Sequence, residues 1–134
     1  METQTQVKRR ILVIDDEADF CFFVRKNLEQ LGKFEVLTAL NGEEGLRLAR
    51  ERKPDLILLD VRMPGVTGPD VADTLRQDPL TENIPLVFLT ALVTPKEIGA
   101  ETIKEIGGHE FIAKPIDTDR LVSCINRLLR FSSV

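Results

Sequence analysis

Short apolar runs, in which polar and apolar residues do not alternate, recur along this 134-residue chain and restrict its fold more than any other feature. Such runs are typical of strands that are buried on both faces of a parallel sheet. Longer segments with the apolar spacing of helices lie between them, bounded by glycine, proline or capping residues. The runs are Ile11-Leu12-Val13-Ile14, Leu56-Ile57-Leu58-Leu59, Leu86-Val87-Phe88-Leu89 and Phe111-Ile112-Ala113.

A fifth, more polar strand is predicted at residues 34–39, and its composition suits an edge of the sheet. Strands and helices then alternate strictly, which predicts an α/β domain with five parallel strands, right-handed crossovers and five helices on the two faces. The first helix is expected to follow Asp16 and to end before Gly32. Its predicted buried stripe consists of Phe20, Phe23, Val24, Leu28 and Leu31. The other helices are predicted at residues 43–52, 69–76, 95–106 and from 117 onward.

Polar residues follow the buried runs directly. Asp15 and Asp16 follow the first of them, Asp60 the next, then Thr90 and finally Lys114, up to 99 positions from Asp15. The carboxyl ends of parallel strands share one edge of the sheet, where ligands bind, so we expect these side chains to meet in one cleft.

Three carboxylates in one cleft repel each other, and a divalent cation removes the conflict. A set of oxygen ligands favours Mg²⁺, so we predict a magnesium site at Asp15, Asp16 and Asp60. With Thr90 and Lys114 added, the set has the composition of a phosphate-binding site. The alternative, in which Asp15-Asp16 only caps the first helix, explains one acid but not three.

Composition narrows the function classes. The net charge of −4 argues against a protein that binds nucleic acid or a membrane surface. No apolar stretch is long enough to span a membrane, and the polar N-terminus lacks the core of a signal peptide, so we expect a cytoplasmic location. Cys21 and Cys124 are predicted to be buried reduced thiols, since no zinc motif is present. His109 is interpreted as a loop residue.

At these strand ends the chain resembles the receiver domain of bacterial response regulators, over residues 10–129. Each matching piece is weak alone, but the four together, in the right order, are highly specific. The resemblance implies a flavodoxin-like, doubly wound sheet of order 2-1-3-4-5. We expect a receiver domain at residues 8–131, with short tails at 1–7 and 132–134. The matching pieces are Ile11-Leu12-Val13-Ile14-Asp15-Asp16-Glu17, Asp60-Val61-Arg62-Met63-Pro64 with Gly68, Leu89-Thr90-Ala91 and Lys114-Pro115.

The resemblance also implies residue roles. Asp60 is the phosphoacceptor, which receives a phosphoryl group from a sensor histidine kinase or a histidine phosphotransfer protein. Asp15, Asp16 and Asp60 hold Mg²⁺, and the backbone carbonyl of Arg62 completes the protein ligands. The resulting aspartyl phosphate adds close to two negative charges at the end of a strand.

Further roles implied by the resemblance concern the other strand ends. Thr90 and Lys114 bind the phosphoryl oxygens. Phe111 matches the switch aromatic, which changes its burial as Thr90 moves. The Lys114-Pro115 peptide bond is expected to be cis.

The expected function is that of a stand-alone receiver in a two-component system or phosphorelay, a signalling module rather than a conventional enzyme. A downstream protein or a second copy of the chain is expected to dock on the face formed by the fourth predicted helix, the fifth strand and the fifth helix. Neither nucleic acid nor membrane is an expected partner. The segment between Thr90 and Lys114 is slightly longer than usual, and its Gly107-Gly108-His109-Glu110 turn is atypical, so the choice of partner does not carry over.

Two alternatives stay open at this point. A phosphatase with an aspartyl nucleophile would need an acid two positions after that nucleophile, where this chain has Arg62. A pseudo-receiver, an interaction module that is not phosphorylated, should lack one of the acids or the lysine, and this chain has them all.

Overall fold

The computed structural model describes residues 7–91, 110–114 and 116–132, and at 130–132 only the backbone. Five parallel strands form one sheet in the order β2-β1-β3-β4-β5, as the resemblance implied. The strands are β1 (Arg9–Ile14), β2 (Phe34–Ala39), β3 (Leu56–Asp60), β4 (Leu86–Thr90) and β5 (Glu110–Ala113). The more polar β2 lies at an edge, as predicted.

Four helices fall within the described residues, and we number them in chain order. They are α1 (Ala18–Glu29), α2 (Gly42–Arg52), α3 (Gly68–Arg76) and α4 (Thr118–Ser132). The helix predicted at residues 95–106 lies outside the described residues, as do His109 and Pro115. No helix in the described part of the chain is long and apolar enough to cross a membrane.

The helices cover the two faces of the sheet in pairs. Successive residues of a strand point to opposite faces, so Ile11 and Val13 join the core under α1 and α4, whereas Leu12 and Ile14 join the core under α2 and α3. Gly45 of α2 packs so closely on Ile14 that a Cβ there would collide with the isoleucine side chain. Burial on both faces explains why β1, β3 and β4 are apolar without alternation.

Local signals set most helix boundaries. Asn41 caps α2, because its side chain accepts a hydrogen bond of 2.8 Å from the amide of Glu44. Lys53 ends that helix in the left-handed conformation, directly before Pro54. A capping box of Thr67 and Asp70, which the sequence analysis missed, begins α3. Asp117 precedes α4 and accepts a bond of 2.9 Å from the amide of Asp119.

The predicted buried stripe of α1 was partly wrong. Val24 and Leu28 are buried, but Cys21 takes the third core position, while Phe23 is exposed and Leu31 lies exposed beyond the end of the helix. The helix begins two residues after Asp16, and Cys21 joins the core beside Ile11 and Val13. The thiol prediction needs a smaller correction, because Cys21 is buried and free but Cys124 is free and only half-buried.

Candidate functional site

The three predicted acids meet at the carboxyl edge of β1 and β3. Ile14 pairs with Leu59 across these neighbouring strands. Asp15 and Asp60 follow these two residues directly, so they reach the same level of the sheet edge. Asp15 and Asp60 are buried, whereas Asp16 is exposed. One carboxylate oxygen from each of the three lies within 4.8 Å of the others. This spacing lets one small cation contact all three residues.

Burial and mutual repulsion shape the charge of this cluster. Burial, together with the charge of Asp15, raises the pKa of Asp60 to about 6. Burial also raises the pKa of Asp15, although Lys114 and the amide of Glu17 oppose the rise. The Oδ2 atom of Asp15 is buried, and the Lys114 ammonium is its ion-pair partner. Three carboxylates that each offer an oxygen ligand at this spacing fit a hard divalent cation such as Mg²⁺.

Lys114 places a positive charge among the acids. It follows β5, and its backbone amide donates a hydrogen bond of 2.8 Å to the carbonyl of Thr90. Its Nζ lies 2.6 Å from Oδ2 of Asp15, 2.9 Å from Oε1 of Glu17 and 3.7 Å from Oδ1 of Asp60. The pKa of Lys114 is raised, because its bonds to Asp15 and Glu17 outweigh the effect of burial, which lowers it. The lysine is therefore charged at neutral pH.

The loop after β3 presents Asp60 to the cleft. The amide of Val61 donates to the carbonyl of Leu89 at 3.0 Å, and the amide of Gly68 donates to the carbonyl of Val61 at 3.0 Å. The backbone amide of Arg62 hydrogen-bonds the Asp60 carboxylate and lowers its pKa slightly against the effect of burial. A Cβ at Gly68 would collide with the carbonyl oxygen of Asp60. Gly68 thus permits a close approach of two backbone segments.

Thr90 and Phe111 lie on the neighbouring strands. Thr90 is the buried last residue of β4 and pairs in register with Ala113. Phe111 of β5 is half-buried, and its ring lies 5.1 Å from that of Phe88 between centroids. Thr90 is thus at the same sheet edge as Asp60, while Phe111 packs against the core under α2 and α3. The conformation of the Lys114-Pro115 bond lies outside the described residues.

The structure brings Asp15, Asp16, Asp60, Thr90 and Lys114 to one edge, as predicted. Sequence reasoning missed two further residues. Glu17 is an ion-pair partner of Lys114, and the ring of Phe20 lies 4.4 Å from the Lys114 Nζ. No local pattern links Glu17 to a lysine 97 positions away, so only the strand order could have revealed this contact.

Comparison with known proteins identifies relatives along almost the whole chain. The family model described as the response regulator receiver domain matches residues 11–126. Protein PilH of Pseudomonas aeruginosa is 35% identical over 122 residues, which are 90% of this chain and 97% of that protein. The crystal structure of a response regulator from Desulfuromonas acetoxidans superposes with a TM-score of 0.78 at 30% identity, covering 92% of this chain and 98% of that one.

A second group of relatives is longer than this chain. The phosphate regulon transcriptional regulatory protein PhoB of Rhizobium meliloti is 37% identical over 123 residues, which cover 90% of this chain but 52% of that protein. The chain spans about half the length of the first curated relatives that it matches.

Proposed function

Because this chain belongs to the response regulator receiver domain family, we propose that it takes a phosphoryl group onto Asp60 and thereby switches a surface for a partner. Receiver domains are signalling domains of two-component systems rather than conventional enzymes. The observation that carries the proposal is the setting of Asp60, a buried carboxylate at a strand end with Asp15 on one side and the Lys114 ammonium 3.7 Å away. The domain that we propose for this role spans residues 8–131.

Receiver domains generally bind Mg²⁺ in an acidic pocket, and the donor set here fits that ion. Asp15, Asp16, Asp60 and the backbone carbonyl of Arg62 would hold it. When bound, Mg²⁺ supplies positive charge that offsets the negative charge of a phosphoryl group. The acids would otherwise repel an anionic donor, so binding of the ion and arrival of the donor favour each other.

The protein's own residues would carry the transfer. A carboxylate oxygen of Asp60 attacks the phosphorus of a phosphohistidine, an O–P bond forms, the P–N bond breaks, and the imidazole leaves with the bonding electron pair. Lys114 then pairs with a phosphoryl oxygen, and the Thr90 hydroxyl donates to another. Any catalytic activity in this proposal is limited to its own phosphorylation and dephosphorylation.

Response regulators interact with histidine kinases and downstream effectors. For this chain we propose a sensor kinase or a phosphotransfer protein as donor, met in the cytoplasm. A downstream protein or a second copy of the chain would dock on the face formed by the predicted helix at residues 95–106, β5 and α4.

The alternatives from the sequence are not favoured. Arg62, where a phosphatase of the aspartyl type would carry its second acid, is a basic, exposed residue. A pseudo-receiver would lack part of the site, yet all three acids and the lysine lie together.

The test is phosphorylation by a small donor. Incubation with acetyl phosphate and Mg²⁺ should add one phosphoryl mass per chain, stable in acid and labile in base. Asp60→Asn should abolish the added mass. If Asp60→Asn were labelled as well as the parent protein, or if the parent stayed unlabelled, the proposal would be wrong.

A further inference from the structure

Glu17 stands at the N-cap of α1 but does not cap it. Its backbone is extended, with φ −90° and ψ 104°, and its side chain makes no capping hydrogen bond. The carboxylate instead reaches the Nζ of Lys114 at 2.9 Å. Glutamate is a poor N-cap residue, so α1 loses little stability when this side chain makes no capping hydrogen bond. The ion pair with Lys114 therefore decides where the side chain lies.

Three carboxylates share the single ammonium of Lys114, and they do so unequally. Nζ is closer to Asp15 and Glu17, at 2.6 Å and 2.9 Å, than to Asp60, at 3.7 Å. The Phe20 ring packs against the ammonium at 4.4 Å. The ammonium therefore lies closer to Asp15 and to Glu17 at the start of α1 than to Asp60.

The three partners also differ in exposure. The side chain of Asp15 is fully buried and that of Asp60 is 9% exposed, whereas that of Glu17 is 64% exposed. Glu17 can swing into water at little cost, while Asp15 cannot.

Building on the function proposed above, we propose that Glu17 is a positioning residue that holds Lys114 back from Asp60 in the unphosphorylated state and thereby slows phosphorylation. A phosphoryl oxygen on Asp60 competes with Glu17 for the ammonium, and Glu17 gives way because it is exposed. The residue thus sets how readily the lysine changes partner. It acts through Lys114 and touches neither the donor nor the metal.

The main experiment compares Glu17→Gln with Asp19→Asn. Asp19 is an exposed acid in the first turn of the same helix, and the contacts described for Lys114 do not include it. Both variants remove one negative charge near the same helix end, but only one removes the contact with the lysine. The donor is phosphoramidate, whose P–N bond breaks as the O–P bond forms and ammonia leaves. The readouts are kcat and KM with Mg²⁺ present, measured by intact mass.

We expect Glu17→Gln to raise kcat/KM for phosphoramidate by about twofold to fivefold, the upper part of the range for losing one exposed ion pair. Asp19→Asn should change it less than about twofold, because exposed charges further away are screened. Beryllofluoride, a phosphoryl mimic, should bind more tightly to Glu17→Gln by a similar factor. Equal kinetics in the two variants would overturn the proposal.

A double-mutant cycle tests whether the effect passes through Lys114. In a Lys114→Met background, Glu17→Gln should raise kcat/KM no more than Asp19→Asn does, since no ammonium remains to be released. If the gain persists without the lysine, Glu17 acts only by its charge and the proposal is wrong. Thermal melting shows whether each variant folds. We expect Glu17→Gln to fold, because the side chain of Glu17 is exposed.

The result also separates this inference from the function on which it rests. A parent protein that is not phosphorylated at all contradicts the proposed function. A parent that is phosphorylated, with Glu17→Gln behaving as Asp19→Asn does, contradicts only the role of Glu17.

Discussion

Asp60 carries a buried carboxyl group whose neighbours decide when it is charged. Its pKa of about 6 in the folded protein lies above the ordinary value of 3.8, because burial and the charge of Asp15 disfavour the anion. The folded state therefore binds more protons than the unfolded chain between these pH values. The contribution of Asp60 to the stability of the fold is therefore largest at low pH, and it is lost as the pH rises through the range from 3.8 to about 6.

The first prediction concerns Asp60→Asn in metal-free buffer. Removing the charge should raise the free energy of unfolding at pH 7.5 by about 1–3 kcal/mol relative to the parent. The difference should shrink toward zero near about pH 3, below the ordinary pKa of 3.8, where the parent carboxyl is protonated in both states. Millimolar Mg²⁺ should reduce the difference at pH 7.5. Urea unfolding at several pH values measures it, and a difference independent of pH would contradict the assigned cause.

The second prediction concerns the metal. Mg²⁺ that binds only the folded protein stabilises it by mass action, so the melting temperature of the parent should rise with millimolar Mg²⁺. Asp16→Ala should lose most of that rise and, since one repelling charge is gone, should melt no lower than the parent without metal. Asp19→Asn is the matched control and should keep the response. An undiminished response in Asp16→Ala would remove this acid from the site.

At the scale of elements, the loop of residues 61–68 joins β3 to α3 and holds the acceptor. Its close approach at Gly68 leaves no room for a side chain, because the carbonyl of Asp60 and the Cα of Val61 occupy that space. Gly65 in the same loop differs. Its φ of +80° is a left-handed backbone conformation, but a Cβ added there would meet no other atom. The two glycines thus serve different physical needs.

The third prediction separates these needs. Gly68→Ala should lower the free energy of unfolding by about 1–3 kcal/mol through overpacking and should slow phosphorylation at least severalfold, because the backbone of Asp60 must move. Gly65→Ala should cost about 1–2 kcal/mol through backbone strain and leave phosphorylation close to that of the parent. Urea unfolding and labelling by acetyl phosphate measure both. Equal loss of phosphorylation in the two variants would contradict the assignment.

At the scale of the whole molecule, β4 and β5 connect the site at Thr90 with Phe111 on the neighbouring strand. Lys114 is tied to Thr90 through the backbone, and Phe111 packs on Phe88 two residues before Thr90. A change in the position of Thr90 therefore acts on the strand that carries Phe111. Such coupling supports the proposed two-state switch.

The fourth prediction follows from that coupling. Beryllofluoride with Mg²⁺ should change amide hydrogen exchange mainly between Thr90 and Phe111, as Thr90 moves inward and Phe111 becomes more buried. Exchange measured by mass spectrometry with Asp60→Asn as the unresponsive control tests it. Changes confined to α1 and α2 would show that the chain signals through another surface.

The sequence alone determined the strands, their parallel arrangement and most of the site, because burial on both faces leaves a local pattern and strand ends share one edge. The buried stripe of α1 was only partly predicted, since the side of the helix that packs on the sheet leaves Phe23 exposed and buries Cys21. The closer pairing of Lys114 with Asp15 and Glu17 than with Asp60 was decided by the tertiary structure. The partners of Lys114 depend on distances between the end of β5 and the start of α1, which are far apart in the chain. No local sequence pattern in either segment predicts these distances.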